Sequence, residues 1–363
     1  MRDASLARRR EPDAPPNLYK QADKRWKAFR RAADIDASAL ADIVDPRRPD
    51  SRLCDVAVAA DAPAWLRGAR IQALRGIDGF RLIPCPFSTQ QQLQLARAAL
   101  AEWVEPPAVT NLPLQHGPGP HCDLWVRHKA EPRGSLLSRL SWATVGYHYQ
   151  WTQRAYDAAQ RCPMPAALRG LSSELAAACG WALRPEAAIL NYYGAGSSMG
   201  GHHDDAEPCQ SVPIVSISLG LEAIYLLGGP TKETAPVPIW LRSGDVVLQG
   251  GESRGYVHGV PRVLAGGAPP ELPAADGGGH AAAMERAGPA GLGGGGGGEA
   301  EVAELARVRQ WLAEHRLNIN VRQCFEQEGG DSGGGGAHES REGHGEPDES
   351  ESAKRRRVDL EAA

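Results

Sequence analysis

Two histidines and an aspartate have the types and spacing of a metal site. One residue separates His202 from Asp204, so in an extended strand their side chains project from the same face. His258 lies further along the chain, in another strand-like segment. Two imidazoles and one carboxylate on one side of a metal form the facial triad of non-haem iron(II) oxygenases and leave the other coordination positions open. His203 and Asp205 have the same spacing, so spacing alone leaves both pairs as candidates.

The last strand-like segment, residues 316–322, carries a polar row opposite an apolar row. The polar row is Arg316, Asn318, Asn320 and Arg322, and the apolar row is Leu317, Ile319 and Val321. The two arginines would lie about 20 Å apart along a strand, and their long side chains, angled inward, could hold the two ends of a short dicarboxylate. Guanidinium groups bind carboxylates through paired hydrogen bonds. A solvated edge strand is the alternative, but it leaves the histidine and aspartate set unexplained.

The segments that must position these residues have the pattern of a β-rich core. After Arg184, short apolar segments recur about every eight to twelve residues, with Gly, Pro or Asp between them. The predicted strands are 188–193, 213–219, 223–227, 238–241, 245–249, 254–260 and 317–325, and the predicted helices are 90–103, 165–180 and 301–315. The pattern predicts an α+β fold whose core is a double-stranded β-helix, a jelly roll of the cupin-like kind.

Near the N terminus, apolar residues recur at helical spacing among lysines and arginines. The apolar positions are Leu18, Tyr19, Ala22, Trp26 and Phe29, and the basic residues of 20–31 fall largely on the remaining surface. We therefore predict a basic amphipathic helix as an N-terminal extension of the core. Its charged face is either only solvated or contacts nucleic acid.

Composition predicts how the chain is divided. With 363 residues, of which 42% are hydrophobic and 23% charged, the chain can bury one full-sized core. Its 42 glycines are concentrated in 265–300 and in the tail. The predicted parts are a disordered basic N terminus (1–16), the basic helix and a linker (17–64), a main domain (65–326) with a flexible insertion (265–300), and a disordered acidic tail with a basic cluster (327–363).

The charge and the cysteines of the chain indicate which partners it binds and in which cellular compartment it lies. The net charge of −4 argues against nucleic-acid binding, but the acidic surplus lies in the tail. The 7 cysteines form no CxxC pair, which suits a reducing compartment, and no apolar run has the length of a membrane span. We expect a monomer away from membranes, in the nucleus, the cytoplasm or both. The run 354–358 resembles a nuclear import signal, and the arginines of 2–10 leave a mitochondrial pool open.

Ordered blocks within residues 65–326 resemble the AlkB dioxygenases, and most closely the subfamily of the first eukaryotic AlkB homologue. The blocks are Asn191-Tyr192-Tyr193, Met199-Gly200-Gly201-His202-His203-Asp204, Ser243-Gly244-Asp245, His258-Gly259-Val260-Pro261-Arg262-Val263 and 316–323, with 145–151 and 176–180 closest to that subfamily. The resemblance implies an iron(II)-dependent enzyme that uses 2-oxoglutarate and O2 as cosubstrates. It would oxidatively demethylate nucleic-acid bases and release formaldehyde, succinate and CO2.

The resemblance also assigns roles. It makes His202, Asp204 and His258 the iron ligands and catalytic centre. It places Arg316 on the distal carboxylate of 2-oxoglutarate and Arg322 on the carboxylate beside the keto group, with supporting contacts from Asn191, Tyr193 and Asn318.

A lid over the substrate is expected, because a base must leave its stack before its methyl group can reach the metal. The lid candidates are Tyr147, Tyr149, Tyr156 and Glu207, although such an aromatic cluster can equally be core. Many AlkB proteins have an acidic residue two positions after the metal-binding aspartate. Here that position is Ala206, so base preference does not carry over.

The expected substrates are structured or single-stranded RNA, with 1-methyladenosine in transfer RNA first, and DNA, including N6-methyladenine, second. Two other classes stay open: an oxygenase that acts on protein such as histone, and a cupin-like binding protein with a dead metal site. A lyase activity on abasic DNA, ascribed to the subfamily, is neither supported nor excluded by the sequence.

Overall fold

The computed structural model describes residues 15–118, 121–266 and 298–326. Its α-helices are α1 (Leu18–Trp26), α2 (Ala37–Asp42), α3 (Thr89–Ala101), α4 (Leu112–His116), α5 (Leu124–Ala130), α6 (Ala166–Ala178) and α7 (Glu299–Leu312). Its strands are β1 (Leu53–Val56), β2 (Ile71–Leu74), β3 (Phe80–Ile83), β4 (Val109–Thr110), β5 (Trp142–Gln150), β6 (Ala155–Arg161), β7 (Ala187–Gly194), β8 (Met199–His202), β9 (Ile214–Gly220), β10 (Ala223–Leu227), β11 (Val237–Leu241), β12 (Val246–Gln249), β13 (His258–Val263) and β14 (His315–Arg322).

The strands form two antiparallel sheets. The larger sheet has 10 strands, in the order β1-β2-β3-β12-β9-β14-β7-β5-β4 with β6 paired to β5, and the smaller has 4, in the order β11-β10-β13-β8. The sheets pack on each other through buried side chains of both, among them Leu82, Val247, Leu227 and Ile239. This arrangement confirms the predicted α+β fold with a jelly-roll core.

Helices α3, α6 and α7 cover the outer face of the larger sheet. Leu93, Leu168 and Val308 from these helices join one buried cluster with the sheet residues Leu317 and Ile319. Each such aliphatic side chain contributes about 1.5–3 kcal/mol by leaving water. Because alternate residues of a strand face opposite sides, the polar row of β14 must face the space between the two sheets.

Strand β14 lies in the interior of the larger sheet. It pairs with β7 along its whole length and with β9 from Arg316 to Val321. Arg316 and Arg322 are 1% and 4% exposed, so the alternative of a solvated edge strand is wrong. The polar row lines the interior of the jelly roll.

The N-terminal segment packs on the smaller sheet. Tyr19 and Trp26 of α1 are buried against Ile224, Leu226 and Trp240. The region predicted as a linker also contains β1, which pairs with β2 from Leu53 to Val56. Residues 17–64 therefore contribute a packed helix and a sheet strand. The predicted division into parts stays a prediction, since the tail and most of the insertion lie outside the described residues.

In two places the structure differs from the predicted secondary structure. The strand predicted at 254–260 begins later, at His258, because residues 251–255 form a 3-10 turn. The segment 106–134, in which no helix is predicted, contains α4 and α5. Helix α5 is held by a tertiary contact, the hydrogen bond from Trp125 Nε1 to Glu304 of α7 at 2.6 Å, and local propensity does not reveal such a contact.

Candidate metal centre and cosubstrate pocket

Strands β8 and β13 bring the predicted triad together. The two strands are paired, with His202 opposite His258, and Asp204 follows β8 directly. One ligand atom from each residue lies within 4.8 Å of the others. The Nε2 atoms of His202 and His258 are 3.5 and 3.8 Å from the carboxylate oxygens of Asp204. Among the described residues this is the one such group of three.

Backbone carbonyls orient both imidazoles. Nδ1 of His202 lies 2.9 Å from the carbonyl of Gly200, and Nδ1 of His258 lies 3.1 Å from that of Tyr256. A carbonyl only accepts hydrogen bonds, so each Nδ1 carries the proton and each Nε2 keeps its lone pair toward Asp204. Backbone partners of this kind fix the ligating nitrogen in metal sites.

The charges in the centre favour a cation. Burial and the neighbouring His202 lower the pKa of His258 to about 4, which keeps this imidazole neutral near pH 7. Burial raises the pKa of Asp204, but Arg322 and the two histidines outweigh burial and hold it well below its usual value. Imidazole nitrogens and an ionised carboxylate form the donor set that a divalent iron site needs.

The competing pair does not converge. Nδ1 of His203 lies 2.8 Å from the carbonyl of Gly255, and Asp205 forms an exposed ion pair with Arg154 at 3.0 Å. His203 lies just after the end of β8 and is not part of the group formed by His202, Asp204 and His258. Sequence spacing could not choose between the pairs, and the pairing of β8 with β13 does.

Arg316 is a buried cation that forms no salt bridge with an Asp or Glu among the described residues, although Asp245 acts on it from beyond salt-bridge distance. Nη1 donates to the carbonyl of Leu221 at 3.2 Å and Nη2 to Ser218 Oγ at 2.7 Å, while Nε has no partner. Burial lowers the pKa of Arg316 to about 10. A buried charge without a counterion costs several kcal/mol, so the pocket fits a carboxylate ligand.

The other predicted cosubstrate residues lie on the same face. Tyr193 is directly opposite Arg316 and Asn191 directly opposite Asn318, on paired strands. Nδ2 of Asn318 donates to Ser216 Oγ at 2.9 Å. At the far end of β14, Nη2 of Arg322 lies 3.5 Å from Asp204 Oδ2. The structure therefore groups all five residues between the sheets, with Arg322 adjoining the metal centre.

Glu207, predicted as a candidate for the substrate lid, lies inside the protein. Its side chain is 0% exposed and forms ion pairs of 2.8 Å with Arg254 and Arg322, so its contact with a substrate base stays a prediction. Sequence reasoning missed Arg254, which also donates to the carbonyl of Asp204. The sequence does show an arginine shortly before His258. Because that segment is predicted as a continuous strand, the turn that directs Arg254 toward Glu207 is not foreseen.

The predicted tyrosines form one cluster beside the metal loop. Tyr147, Tyr149 and Tyr156 pack with Ala206 and Phe325. Tyr156 is 8% exposed, which makes it part of the wall. Tyr147 and Tyr149 are half-buried and reach the surface, so they stay the candidates for a lid.

Helix α1 is fastened to the two strands that carry the histidines. Tyr19 lies so close to β8 that a Cβ atom on Gly201 would be 2.3 Å from its ring. Arg262 of β13 donates from Nε to the carbonyl of Lys27 at 3.0 Å and from Nη1 to that of Gly196 at 2.7 Å. The periodicity of α1 predicted its buried face but not the strands that this face contacts.

Comparisons with known proteins agree with this geometry. The family model described as the 2OG-Fe(II) oxygenase superfamily matches residues 79–322. The chain is 41% identical over 202 residues to the nucleic acid dioxygenase ALKBH1 of Homo sapiens, covering 53% of this chain and 52% of that protein. It is 32% identical over 283 residues to the DNA N(6)-methyladenine demethylase ALKBH1A of Arabidopsis thaliana, covering 68% and 75%.

A third relative, the tRNA demethylase abh1 of Schizosaccharomyces pombe, is 26% identical over 276 residues, with 70% of this chain and 87% of that protein covered. The match spans about half the length of the human and mouse relatives.

Proposed function

Because the chain belongs to the 2OG-Fe(II) oxygenase superfamily, and within it to the AlkB type, we propose that it oxidatively demethylates nucleic-acid bases. The observation that carries the proposal is the pairing of β8 with β13, which brings the Nε2 atoms of His202 and His258 and the Asp204 carboxylate together. The buried Arg316, whose Nε has no partner, lies in the same interior.

In this proposal His202, Asp204 and His258 hold iron(II). Arg316 would bind the distal carboxylate of 2-oxoglutarate, and Arg322, which lies 3.5 Å from Asp204, would hold the carboxylate next to the keto group. When bound, iron(II) and 2-oxoglutarate would supply the O2-dependent oxidation of an N-methyl group, with formaldehyde, succinate and CO2 as products. The chain orients the ligands and keeps water out through the buried wall that includes Tyr156.

The basic face of α1 is the proposed contact for a phosphate backbone. Lys20, Lys24 and Lys27 are exposed, and the helix that carries them packs on β8 and β13, beside the metal centre. Phosphate contacts position nucleic acid without reading its sequence. The sequence leaves two roles open for this charged face, and we assign to it the contact with nucleic acid.

Among nucleic acids, we propose structured RNA with a methylated base in a loop, and 1-methyladenosine in transfer RNA first. Unstacking a base costs a few kcal/mol in a duplex and least in loops or single strands, and loops present bases for stacking on aromatic side chains. The names of the relatives include both a tRNA demethylase and a DNA N(6)-methyladenine demethylase, so unpaired methylated DNA is the second substrate.

Replacing Lys20, Lys24 and Lys27 together by alanine is expected to weaken RNA binding and to make its salt dependence less steep. The magnitude of the slope of log K against log salt should decrease by about 0.7–0.9 for each lost phosphate contact. Decarboxylation of 2-oxoglutarate without RNA should stay near wild type, because none of the three side chains is buried. Binding is measured by fluorescence anisotropy at several salt concentrations.

The matched control is the replacement of Arg169 and Arg307 by alanine. Both are exposed on α6 and α7, the helix layer on the outer face of the larger sheet, so the salt slope should not change. If the salt dependence of RNA binding became less steep by the same amount in both variants, the proposed phosphate contact on α1 would be contradicted. Deleting residues 1–31 is a poorer test, since it removes Tyr19 and Trp26 from a buried cluster.

The direct test of function is incubation of the purified chain with iron(II), 2-oxoglutarate and methylated transfer RNA, followed by mass spectrometry of nucleosides. We expect loss of 1-methyladenosine with release of formaldehyde and succinate. Demethylation of fully paired duplex DNA faster than of loop RNA with equal methyl content would contradict the RNA proposal. Hydroxylation or demethylation of histone with no change in any nucleoside would favour the protein-oxygenase alternative.

Localisation and assembly enter as proposals. The basic run 354–358 supports import into the nucleus beside a cytoplasmic pool, but it lies outside the described residues. In the part of the chain that the structure describes, no helix is both long and apolar enough to span a bilayer. We propose a monomer, which sedimentation at several concentrations tests.

A further inference from the structure

We propose that Glu207 is a positioning residue that keeps Asp204 available to the metal by forming ion pairs with two buried arginines. The inference rests on the proposed function, because it concerns the same centre. Glu207 lies in the loop after β8, and its side chain is 0% exposed. A fully buried carboxylate needs charged or hydrogen-bonding partners to stay ionised.

Each carboxylate oxygen of Glu207 serves a different arginine. Oε1 accepts from Nη1 of Arg322 at 2.8 Å, and Oε2 accepts from Nη2 of Arg254 at 2.8 Å. Arg254 also donates through Nη1 to the backbone carbonyl of Asp204. Glu207 therefore joins the turn before β13 to the end of β14 and to the loop that carries Asp204.

The arrangement also balances charge. Arg254 and Arg322 are 3% and 5% exposed in their side chains, and Glu207 and Asp204 are their carboxylate partners. Nη2 of Arg322 is already 3.5 Å from Asp204 Oδ2. Without the Glu207 carboxylate, Asp204 would be the one remaining acidic partner of Arg322 within this group. A closer ion pair between them would compete with the metal for the same oxygen, since buried charges seek partners.

This competition predicts opposite effects on cations and anions. Glu207→Gln keeps the size of the side chain but removes one negative charge from the pocket. Metal affinity should therefore fall, whereas the affinity of the metal-free pocket for a dicarboxylate should stay the same or rise. Plain structural damage would lower both affinities, so the split separates a positioning role from a stabilising one.

The experiment uses the full chain and two probes. Isothermal titration calorimetry measures Mn²⁺ binding to the protein alone, and 2-oxoglutarate binding to the protein in a chelator. For Glu207→Gln we expect the Mn²⁺ Kd to rise about 10- to 100-fold, as for other hydrogen-bond partners around metal ligands. The 2-oxoglutarate Kd should not rise. An unchanged Mn²⁺ Kd, or a parallel loss of both affinities, would overturn the inference.

Glu207→Asp keeps the test decisive if the glutamine variant does not fold. Aspartate retains the charge but is one methylene shorter, so it cannot contact both arginines, and the Mn²⁺ Kd should rise by a smaller factor. A wild-type Mn²⁺ Kd in Glu207→Asp would overturn the bridging role.

Glu222→Gln is the matched control, because Glu222 pairs with Arg242 at 3.6 Å outside the metal centre. Both affinities should be unchanged in this variant, and a loss of Mn²⁺ affinity equal to that of Glu207→Gln would overturn the inference. Failure of the wild-type chain to bind Mn²⁺ would instead refute the metal centre and with it the proposed function.

Discussion

Replacing any one of His202, Asp204 and His258 by alanine is expected to abolish turnover while the fold survives. A facial triad that loses one of its three ligands loses its geometry. Removing the hydrogen-bond partner of a metal ligand costs about 10- to 100-fold. The loss of turnover on removing the ligand itself should be larger. Formaldehyde release and Mn²⁺ binding measure the effect, and circular dichroism checks the fold.

His203→Ala is the control that the sequence itself offers. Its imidazole contacts the carbonyl of Gly255 at 2.8 Å and points away from the centre, so the substitution should cost about 0.5–1.5 kcal/mol of stability at most. Turnover should stay within a few-fold of wild type. Full activity in His202→Ala together with none in His203→Ala would reverse the assignment of the ligands.

The strands and their polar residues were predictable because their periodicity is local. The alternation in 316–322 placed Arg316 and Arg322 on one face, and both arginines are buried in the sheet interior. The spacing of His202 and Asp204 gave one half of the metal centre. The choice between His202 and His203 came from resemblance or from strand pairing, since alternation alone fits either.

The ion pairs around the centre could not be predicted, because they join residues that are distant in sequence. Glu207 contacts Arg254 and Arg322 across 47 and 115 positions, and no local pattern encodes such pairs. An acidic residue after a metal-binding aspartate suggested a substrate contact, whereas burial makes it an internal counterion. The docking of Tyr19 against Gly201 is long-range in the same way.

Arg316→Lys is expected to raise the KM for 2-oxoglutarate by about one to two orders of magnitude. Lysine places a point charge where the planar guanidinium donates to Ser218 and Leu221 and is free to pair with a carboxylate. Loss of a charge-assisted interaction of this kind costs about 1.5–3 kcal/mol. Arg242→Lys is the control, since Arg242 pairs with Asp45 at 2.8 Å outside the pocket and should leave the KM unchanged.

The same arginine should affect stability in opposite directions with and without the cosubstrate. In the ligand-free protein Arg316 is a buried cation with an unpaired Nε, and replacing a poorly compensated buried charge by an apolar residue is often neutral or stabilising. Arg316→Met should therefore have a melting temperature equal to or above that of wild type without 2-oxoglutarate. Wild type should gain about 2.7 kcal/mol at a ligand concentration of 100 Kd, and the variant should gain almost nothing. If Arg316→Met were destabilised without ligand yet still stabilised by 2-oxoglutarate, Arg316 would be a structural residue and the carboxylate site would lie elsewhere.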